Sequence, residues 1–186
     1  MRFFAKLACY TLALFLCHTA LAQPGAASAA NSNFPVVASY NLDKTKVTLP
    51  RDLQGEINLL MLSFAPEQQK DVDSWKPIVK EVETSRPGFR HYLVPVFSRE
   101  NFLSRWWMNS SLRSRLPANE ERKWTIPLYL NRQRFLKQLQ IASDQEITLL
   151  LVEKSGQILW RTTGALTEEK RAALQEALMA SDKAGR

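Results

Sequence analysis

Cysteine, histidine and glycine are scarce in this sequence: two, two and six of them occur in 186 residues. Cys9 and Cys17 both precede residue 18, so the rest of the chain has no thiol. That remainder can form no disulfide, no thiolate nucleophile and no cysteine-ligated metal site. His91 is the only histidine after residue 18. Because no second ligand or carboxylate partner is apparent around it, we expect His91 to be structural, and we predict no metal site, no cofactor and no catalytic residue.

Residues 1–22 have the features of a secretory signal peptide. Arg2 and Lys6 form a short positive region, and an apolar run follows from Leu7 to Leu21. The run ends in Ala20-Leu21-Ala22, a small-x-small cleavage pattern, so we predict that the exported chain starts at Gln23 in the bacterial periplasm. An uncleaved membrane anchor facing the periplasm is the alternative, although about 15 apolar residues are few for a span of ~20.

The charge balance suggests an acidic partner. Basic residues outnumber acidic ones by 25 to 18, which gives a formal net charge of +7. An acidic protein face, including that of a membrane protein, and an anionic membrane surface are the candidate partners. Nucleic-acid modules carry denser Lys/Arg clusters, so a nucleic acid is disfavoured. Residues 23–33 are rich in Ala, Ser and Asn and are predicted to be a flexible linker. Residues 34–183 form the predicted domain, whose oligomeric state the sequence does not indicate.

The longest apolar run outside the leader, Ile57 to Phe64, marks the central strand. Continuous apolar character is typical of a strand buried on both faces of a parallel sheet. Pro66 ends the strand, and the following residues have helical spacing, although Pro77 should kink or restart that helix. Ligands usually bind at such a strand-to-helix turn in an α/β sheet. The helical stripe consists of Val72, Trp75, Ile78, Val79 and Val82.

The remaining elements alternate in the same way. A small hairpin should precede the central strand, and a second hairpin should precede a final helix capped by Thr167. Pro95 and Pro127 lie inside predicted strands, which suggests edge positions or a bulge. The predicted elements are strands at Ser39–Leu42, Lys46–Leu49, Phe89–Phe97, Trp124–Leu130, Glu146–Glu153 and Ile158–Thr163, and a helix at Arg132–Gln140.

Three stretches resemble the thioredoxin fold, and more closely the peroxiredoxins and exported thiol–disulfide oxidoreductases. They are Leu49-Pro50-Arg51-Asp52-Leu53-Gln54-Gly55 before the central strand, Leu149 to Ile158 in the last hairpin, and Gly164-Ala165-Leu166-Thr167 before the last helix. The resemblance covers residues 46 to 181. It implies an α/β, thioredoxin-like three-layer fold in which helices flank a central mixed sheet.

The chain departs from these families at the redox site. They carry a Cys-x-x-Cys pair or a peroxidatic cysteine after the central strand, and this sequence has Glu67, Gln68, Gln69 and Lys70 there. Ile147 stands where thioredoxins keep a cis-proline facing the thiols. We therefore interpret these five positions as a vacant redox site, and we expect neither oxidoreductase nor peroxidase activity.

A more diffuse resemblance links the chain to the thioredoxin-like mitochondrial ATP synthase assembly factor family and its bacterial relatives. It rests on the glutamine after the central strand, Trp75-Lys76-Pro77, the region from Met108 to Arg113, and Thr125-Ile126-Pro127-Leu128-Tyr129. This resemblance implies a non-enzymatic helper that engages a membrane protein during assembly.

The segment from Ser98 to Lys123 is the predicted partner surface, because Trp and Arg are enriched in interface hot spots. A plain helical crossover is the alternative. The first functional hypothesis is a redox-inactive binding or assembly module. The alternatives are a cysteine-independent glutathione-handling enzyme, in which Ser63 or Gln68 contacts a thiol ligand, and a peripheral membrane-surface protein. The candidate partner-binding residues are Arg99, Arg105, Trp106, Trp107, Arg113 and Arg115.

Overall fold

The computed structural model describes residues 32–98 and 119–184. A short 3-10 helix, Pro66–Gln68, precedes the first α-helix. The strands are β1 (Val37–Tyr40), β2 (Lys46–Leu49), β3 (Ile57–Ser63), β4 (Phe89–Ser98), β5 (Leu128–Leu130), β6 (Thr148–Glu153) and β7 (Ile158–Thr163). The helices are α1 (Gln69–Ser85), α2 (Asn119–Lys123), α3 (Arg132–Gln138) and α4 (Glu168–Ala184).

Five strands form a mixed sheet in the order β5-β4-β3-β6-β7, and β1 and β2 form a separate hairpin. The predicted central position and two-sided burial of β3 are confirmed, since residues 58–62 are all buried. The mixed sheet that the thioredoxin resemblance implies is confirmed, whereas the parallel sheet that the apolar run alone suggests is wrong on one side of β3. Its Leu60 pairs with Tyr92 of parallel β4 and with Leu150 of antiparallel β6. A continuous apolar run indicates that a strand is buried on both faces, but it does not indicate whether the neighbouring strands are parallel or antiparallel.

Helices cover both faces of the sheet and produce two hydrophobic cores. On one face, Leu59 and Met61 of β3 pack with the apolar stripes of α1 and α4. On the other face, Leu60 and Leu62 pack with α3 and the residues before β3. The two cores divide the odd and even residues of β3 between them, as the strand period of two requires. This arrangement confirms the predicted three-layer α/β fold.

The proline-based expectation is correct for β5 and wrong for β4. β5 is an edge strand, whereas β4 pairs on both sides. The amide of Leu93 donates to the carbonyl oxygen of Trp124, on the β5 side of β4. Residues two apart in a strand direct their backbone N–H groups to the same side, so the nitrogen of Pro95 also faces the β5 side. Between that bridge and the ladder that starts at Val96, the pairing with β5 is interrupted. Pro95 therefore lies where a missing N–H removes no ladder bond.

Pro77 and His91 also carried expectations. α1 is continuous through Pro77, so of the two expected effects, a kink or a restart, the restart does not occur. His91 has a carboxylate partner after all, because its Nδ1 lies 2.7 Å from Oε1 of Glu83 in α1. The same carboxylate oxygen accepts the backbone amide of His91 at 3.0 Å. His91 thus joins β4 to α1, which agrees with its expected structural role.

The hairpin and the last helix form as the sequence predicts. Ser39 Oγ donates to the carbonyl oxygen of Pro127 at 2.5 Å, which places β1 beside the edge of the sheet at β5. The Thr167 hydroxyl accepts the backbone amide of Lys170 at 3.3 Å and thereby caps α4. Within the described ranges, no helix combines the length and apolar character that a membrane span needs.

Candidate functional site

The candidate site lies at the carboxyl edge of β3, where the chain turns through the 3-10 helix into α1. Glu67, Gln69 and Lys70 are exposed at this turn, whereas Gln68 retains only 6% of its accessible surface. Ile147 is fully buried and directly precedes β6, the antiparallel neighbour of β3. The fold therefore brings the five predicted vacant positions to one end of two adjacent strands. It also separates Gln68 and Ile147, which are interior, from the three exposed positions.

The side chain of Gln68 forms hydrogen bonds with backbone groups on both sides of it. Its Oε1 accepts the backbone amide of Phe64 at 2.7 Å, just beyond the end of β3. Its Nε2 donates to the carbonyl oxygen of Asp144 at 2.9 Å, in the loop that leads to β6. Because burial without partners would cost the amide about 1–3 kcal/mol, these two bonds explain why a glutamine is stable here.

Arg132, the first residue of α3, closes these contacts into a ring. Its Nη1 donates to the carbonyl oxygen of Phe64 at 3.2 Å, and its Nη2 lies 2.5 Å from Oδ2 of Asp144. The contacts thus run from Phe64 to Gln68, to Asp144, to Arg132 and back to Phe64. We call these four residues the polar ring. It ties the end of β3, the start of α1, the start of α3 and the loop before β6 together.

Sequence reasoning found one member of the polar ring and missed the other three. The sequence points to Gln68 as a vacant redox position and as a candidate contact for a thiol ligand, not as a structural residue. Arg132 directly follows a strand and cap position, and Asp144 lies shortly before a strand, so both are polar residues next to strand ends. That pattern could have indicated a common edge of the sheet, but the contacts themselves depend on tertiary structure.

The backbone at Ile147 is also engaged internally. Its carbonyl oxygen accepts the amide of Gly164 at 2.9 Å, and the carbonyl oxygen of Gly164 accepts Nε1 of Trp75 at 3.0 Å. Trp75 belongs to α1 and is fully buried, so its predicted position in the core is confirmed. Within the described residues, the one cis peptide bond precedes Pro50 and not Ile147.

These contacts leave little polar capacity for a thiol ligand. Both functional atoms of the Gln68 amide have protein partners, which argues against the role that a glutathione-handling enzyme would give it. The candidate partner-binding residues Arg99, Arg105, Trp106, Trp107, Arg113 and Arg115, together with residues 1–22, lie outside the described residues. In the part of the chain that the structure describes, no group of three or more His, Cys, Asp or Glu side chains could hold a metal ion.

Solved structures of several proteins share this arrangement of elements. A Chlorobium tepidum protein described as a thiol:disulfide interchange protein, DsbE, is 14% identical with a TM-score of 0.53, and the match covers 81% of this chain and 95% of that one. BsSco, a member of the Sco family of cytochrome c oxidase assembly proteins, is 15% identical with a TM-score of 0.55, over 80% and 94% of the two chains.

A third structure is described as an electron transfer protein from Aquifex aeolicus VF5. It is 10% identical with a TM-score of 0.58, over 79% of this chain and 94% of that one. Neither a protein-family model nor a curated protein matches the sequence. At these identities the similarity is one of fold. The order of strands, the two helical layers and these structures together show that the chain has a thioredoxin-like fold.

Proposed function

We propose that this chain is a redox-inactive, exported binding or assembly module that engages a membrane or envelope protein. The observation that carries the proposal is the position of Gln68. At the turn where a thioredoxin-like enzyme would carry its thiol, this chain has a buried amide whose two polar atoms hold the surrounding backbone. Gln68 there stabilises the fold and supplies no nucleophile.

Two further points support a binding role. Neither a thiol after residue 17 nor an alternative nucleophile with a base is found at this edge of the sheet among the described residues. One protein with the same fold, BsSco, belongs to a family of cytochrome c oxidase assembly proteins. A thioredoxin-like scaffold is therefore compatible with assembly work. The hydrophobic leader and the basic net charge favour an exported protein with an acidic partner.

The first test is for chemistry. Protein that starts at Gln23 should give no insulin reduction and no peroxide consumption above buffer, because a thiolate is required for both reactions. A thioredoxin and a peroxiredoxin measured in parallel establish that the assays respond. Clear turnover by this chain would contradict the proposal.

The second test is for binding. The tagged chain, incubated with detergent-solubilised envelope membranes, should retain a discrete membrane protein in a stoichiometric amount. A heat-unfolded sample of the same chain controls for adhesion to exposed apolar surface. If both samples retain the same proteins, or neither retains any, a binding role is not supported and the proposal fails.

A further inference from the structure

The two helical layers of the domain differ in the balance of their charged residues. In α1 and α4, on one face of the sheet, acidic residues outnumber basic ones. On the other face, α3 contains no acidic residue. From residue 122 to residue 143 every charged side chain is basic: Arg122, Lys123, Arg132, Arg134 and Lys137. A charge difference between opposite faces produces an oriented field, which steers partners of one sign to one side of a protein.

Some charged groups of the α1 and α4 layer form ion pairs within the layer. Arg171 of α4 lies 3.0 Å from Glu81 of α1. Arg86, just after α1, lies 2.8 Å from Asp182 of α4. These pairs join the two helices to each other, so their charged groups have an evident structural use, even though exposed pairs contribute little individually.

Two of the three cations of α3 lack such a partner among the residues that the structure describes. Arg132 pairs with Asp144 in the polar ring. Arg134 and Lys137 are exposed, lie three residues apart on the same side of the helix, and form no ion pair with any described residue. The fold therefore gives a role to Arg132 and none to the two exposed cations.

Arg134 is also unfavourably placed for the helix itself. It lies in the first turn of α3, next to the positive end of the peptide dipoles, and that turn has no acidic residue. Lys137, in the last turn, is on the favourable side. An exposed cation that its own helix disfavours, and that no neighbour compensates, indicates a contact outside this chain.

The groups around Arg134 and Lys137 are amides. Gln133, Gln138 and Gln140 are all exposed beside them. Among the described residues the exposed large hydrophobic side chains are Val36, Tyr40 and Met179, and none of them belongs to α3. Membrane-surface helices combine cations with apolar or aromatic side chains that enter the lipid. A surface of cations and amides instead matches carboxylate side chains and the peptide backbone that carries them.

We propose that the surface formed by Gln133, Arg134, Lys137, Gln138 and Gln140, which we call the α3 face, docks an acidic segment of the protein partner. Arg134 offers a planar pair of donors to one carboxylate and Lys137 offers a point charge to a second, while the amides bond to the backbone of the segment. The inference rests on the proposed binding function and specifies the surface and the chemistry of the partner.

The probe for the test is a fluorescein-labelled decaglutamate peptide, with decaserine and decalysine as controls for charge. Binding to the purified chain is followed by fluorescence anisotropy at low and at physiological salt. We expect decaglutamate alone to bind, with an affinity that falls as salt rises. Arg134→Glu together with Lys137→Glu should weaken that affinity about tenfold or more, since each reversal replaces an attraction by a repulsion.

Lys80→Glu is the control matched in charge to the single variant Arg134→Glu, because it also reverses one exposed helical cation, on the α1 and α4 layer. We expect it to weaken decaglutamate binding by about twofold or less, because only the net charge changes there. Arg134→Glu alone should weaken binding without lowering Tm, since it places an anion in the first helical turn. That combination separates a contact residue from a structural one.

Several results would contradict the proposal that the α3 face docks an acidic segment. Equal weakening by Lys80→Glu would mean that net charge, not a surface, binds the peptide. The proposal would also be contradicted if decaglutamate does not bind, or if the two α3 reversals do not change its affinity. If the reversals abolish binding to phosphatidylglycerol vesicles but leave decaglutamate binding intact, the partner is a lipid surface and the proposal is wrong.

The outcomes also separate this inference from the proposed function. If the chain with both α3 reversals still retains the same envelope protein, the α3 face is not the docking surface, and the proposed binding function is unaffected. Turnover in the redox assays would contradict the proposed function, independently of how the α3 variants bind decaglutamate.

Discussion

At the scale of single residues, the candidate site shows how a chemical position can become a structural one. Gln68 occupies the turn after the central strand, yet both of its polar atoms bond to backbone groups. Its partner Asp144 lies 76 residues further along the chain. A cysteine could not satisfy these two groups, because a thiol is a weak donor and a weak acceptor. The polar ring therefore accounts for the glutamine in terms of stability.

Gln68→Ala should lower the free energy of unfolding by about 1–3 kcal/mol, since it leaves the buried amide of Phe64 without an acceptor. Urea denaturation measures the difference. Gln69→Ala is the matched control, because Gln69 is exposed and its bond to Asp73 lies on the surface. Its effect should stay within about 0.5 kcal/mol. Equal effects of the two variants would show that the polar ring contributes no stability.

Trp75 is the largest fully buried side chain in the core beneath α1. It is fully buried, lies edge-to-face against Trp160 with ring centroids 6.3 Å apart, and donates its indole N–H to the carbonyl oxygen of Gly164. Trp75→Ala should therefore cost about 3–5 kcal/mol of unfolding free energy. Trp75→Phe keeps an aromatic ring but not the donor, and it should cost less. A Tm unchanged by Trp75→Ala would contradict the packing.

At the scale of elements, the turn between β6 and β7 organises the start of the domain. The carbonyl oxygen of Gly156 accepts the backbone amide of Phe34 at 2.8 Å, and the amide of Ile158 donates to the carbonyl oxygen of Ser32 at 3.0 Å. Phe34 then enters the core beside Phe135 of α3. The turn thus connects the residues before β1 to the edge strand β7 and to the layer that carries α3.

Gly156→Ala should destabilise the protein by about 1–3 kcal/mol. Gly156 has a φ of +97°, and a Cβ there would lie 2.7 Å from Cγ of Pro50, so both the backbone and the space disfavour a side chain. Gly88→Ala is the control, since its Cβ would meet nothing closer than 3.8 Å and its φ is not positive. We expect it to be within about 0.5 kcal/mol of the parent in urea denaturation.

At the scale of the whole molecule, the sheet separates two surfaces with different electrostatics. The helices α1 and α4 are joined by ion pairs, whereas Arg134 and Lys137 of α3 are exposed and form no ion pair with a described residue. If the domain docks through the α3 face, the ion pairs between α1 and α4 remain available for stability. The predicted signal peptide and linker would then deliver the domain to an envelope partner.

We predict that the full chain, produced in a bacterium, is recovered in the periplasmic fraction with an intact mass that corresponds to a start at Gln23, because Ala20-Leu21-Ala22 fits the cleavage pattern. Ala22→Pro, which disrupts that pattern, should leave the longer, membrane-associated form. A wild-type chain recovered from membranes at full length would favour the uncleaved anchor instead.

Much of the fold could be predicted from local patterns. The runs of β3 and β6 are apolar at successive positions, and only a strand covered on both faces can bury such a run. Thr167 and the acidic residues after it mark the start of α4 because they satisfy free amides and the helix dipole. The vacant redox positions are predicted by the thioredoxin resemblance together with the absence of cysteine, since no other side chain replaces a thiolate in disulfide exchange.

The contacts that define the candidate site were decided by tertiary structure alone. His91 and Glu83 belong to different elements, and no local pattern places a carboxylate at the end of α1 beside a ring on β4. The polar ring joins residues that are far apart in sequence, so its geometry exists only once the strands have packed. The sequence by itself determined which side chains must be buried and that no thiol follows residue 17. The packing of strands and helices decided which polar groups meet, because hydrogen bonds act over about 3 Å and depend on final positions.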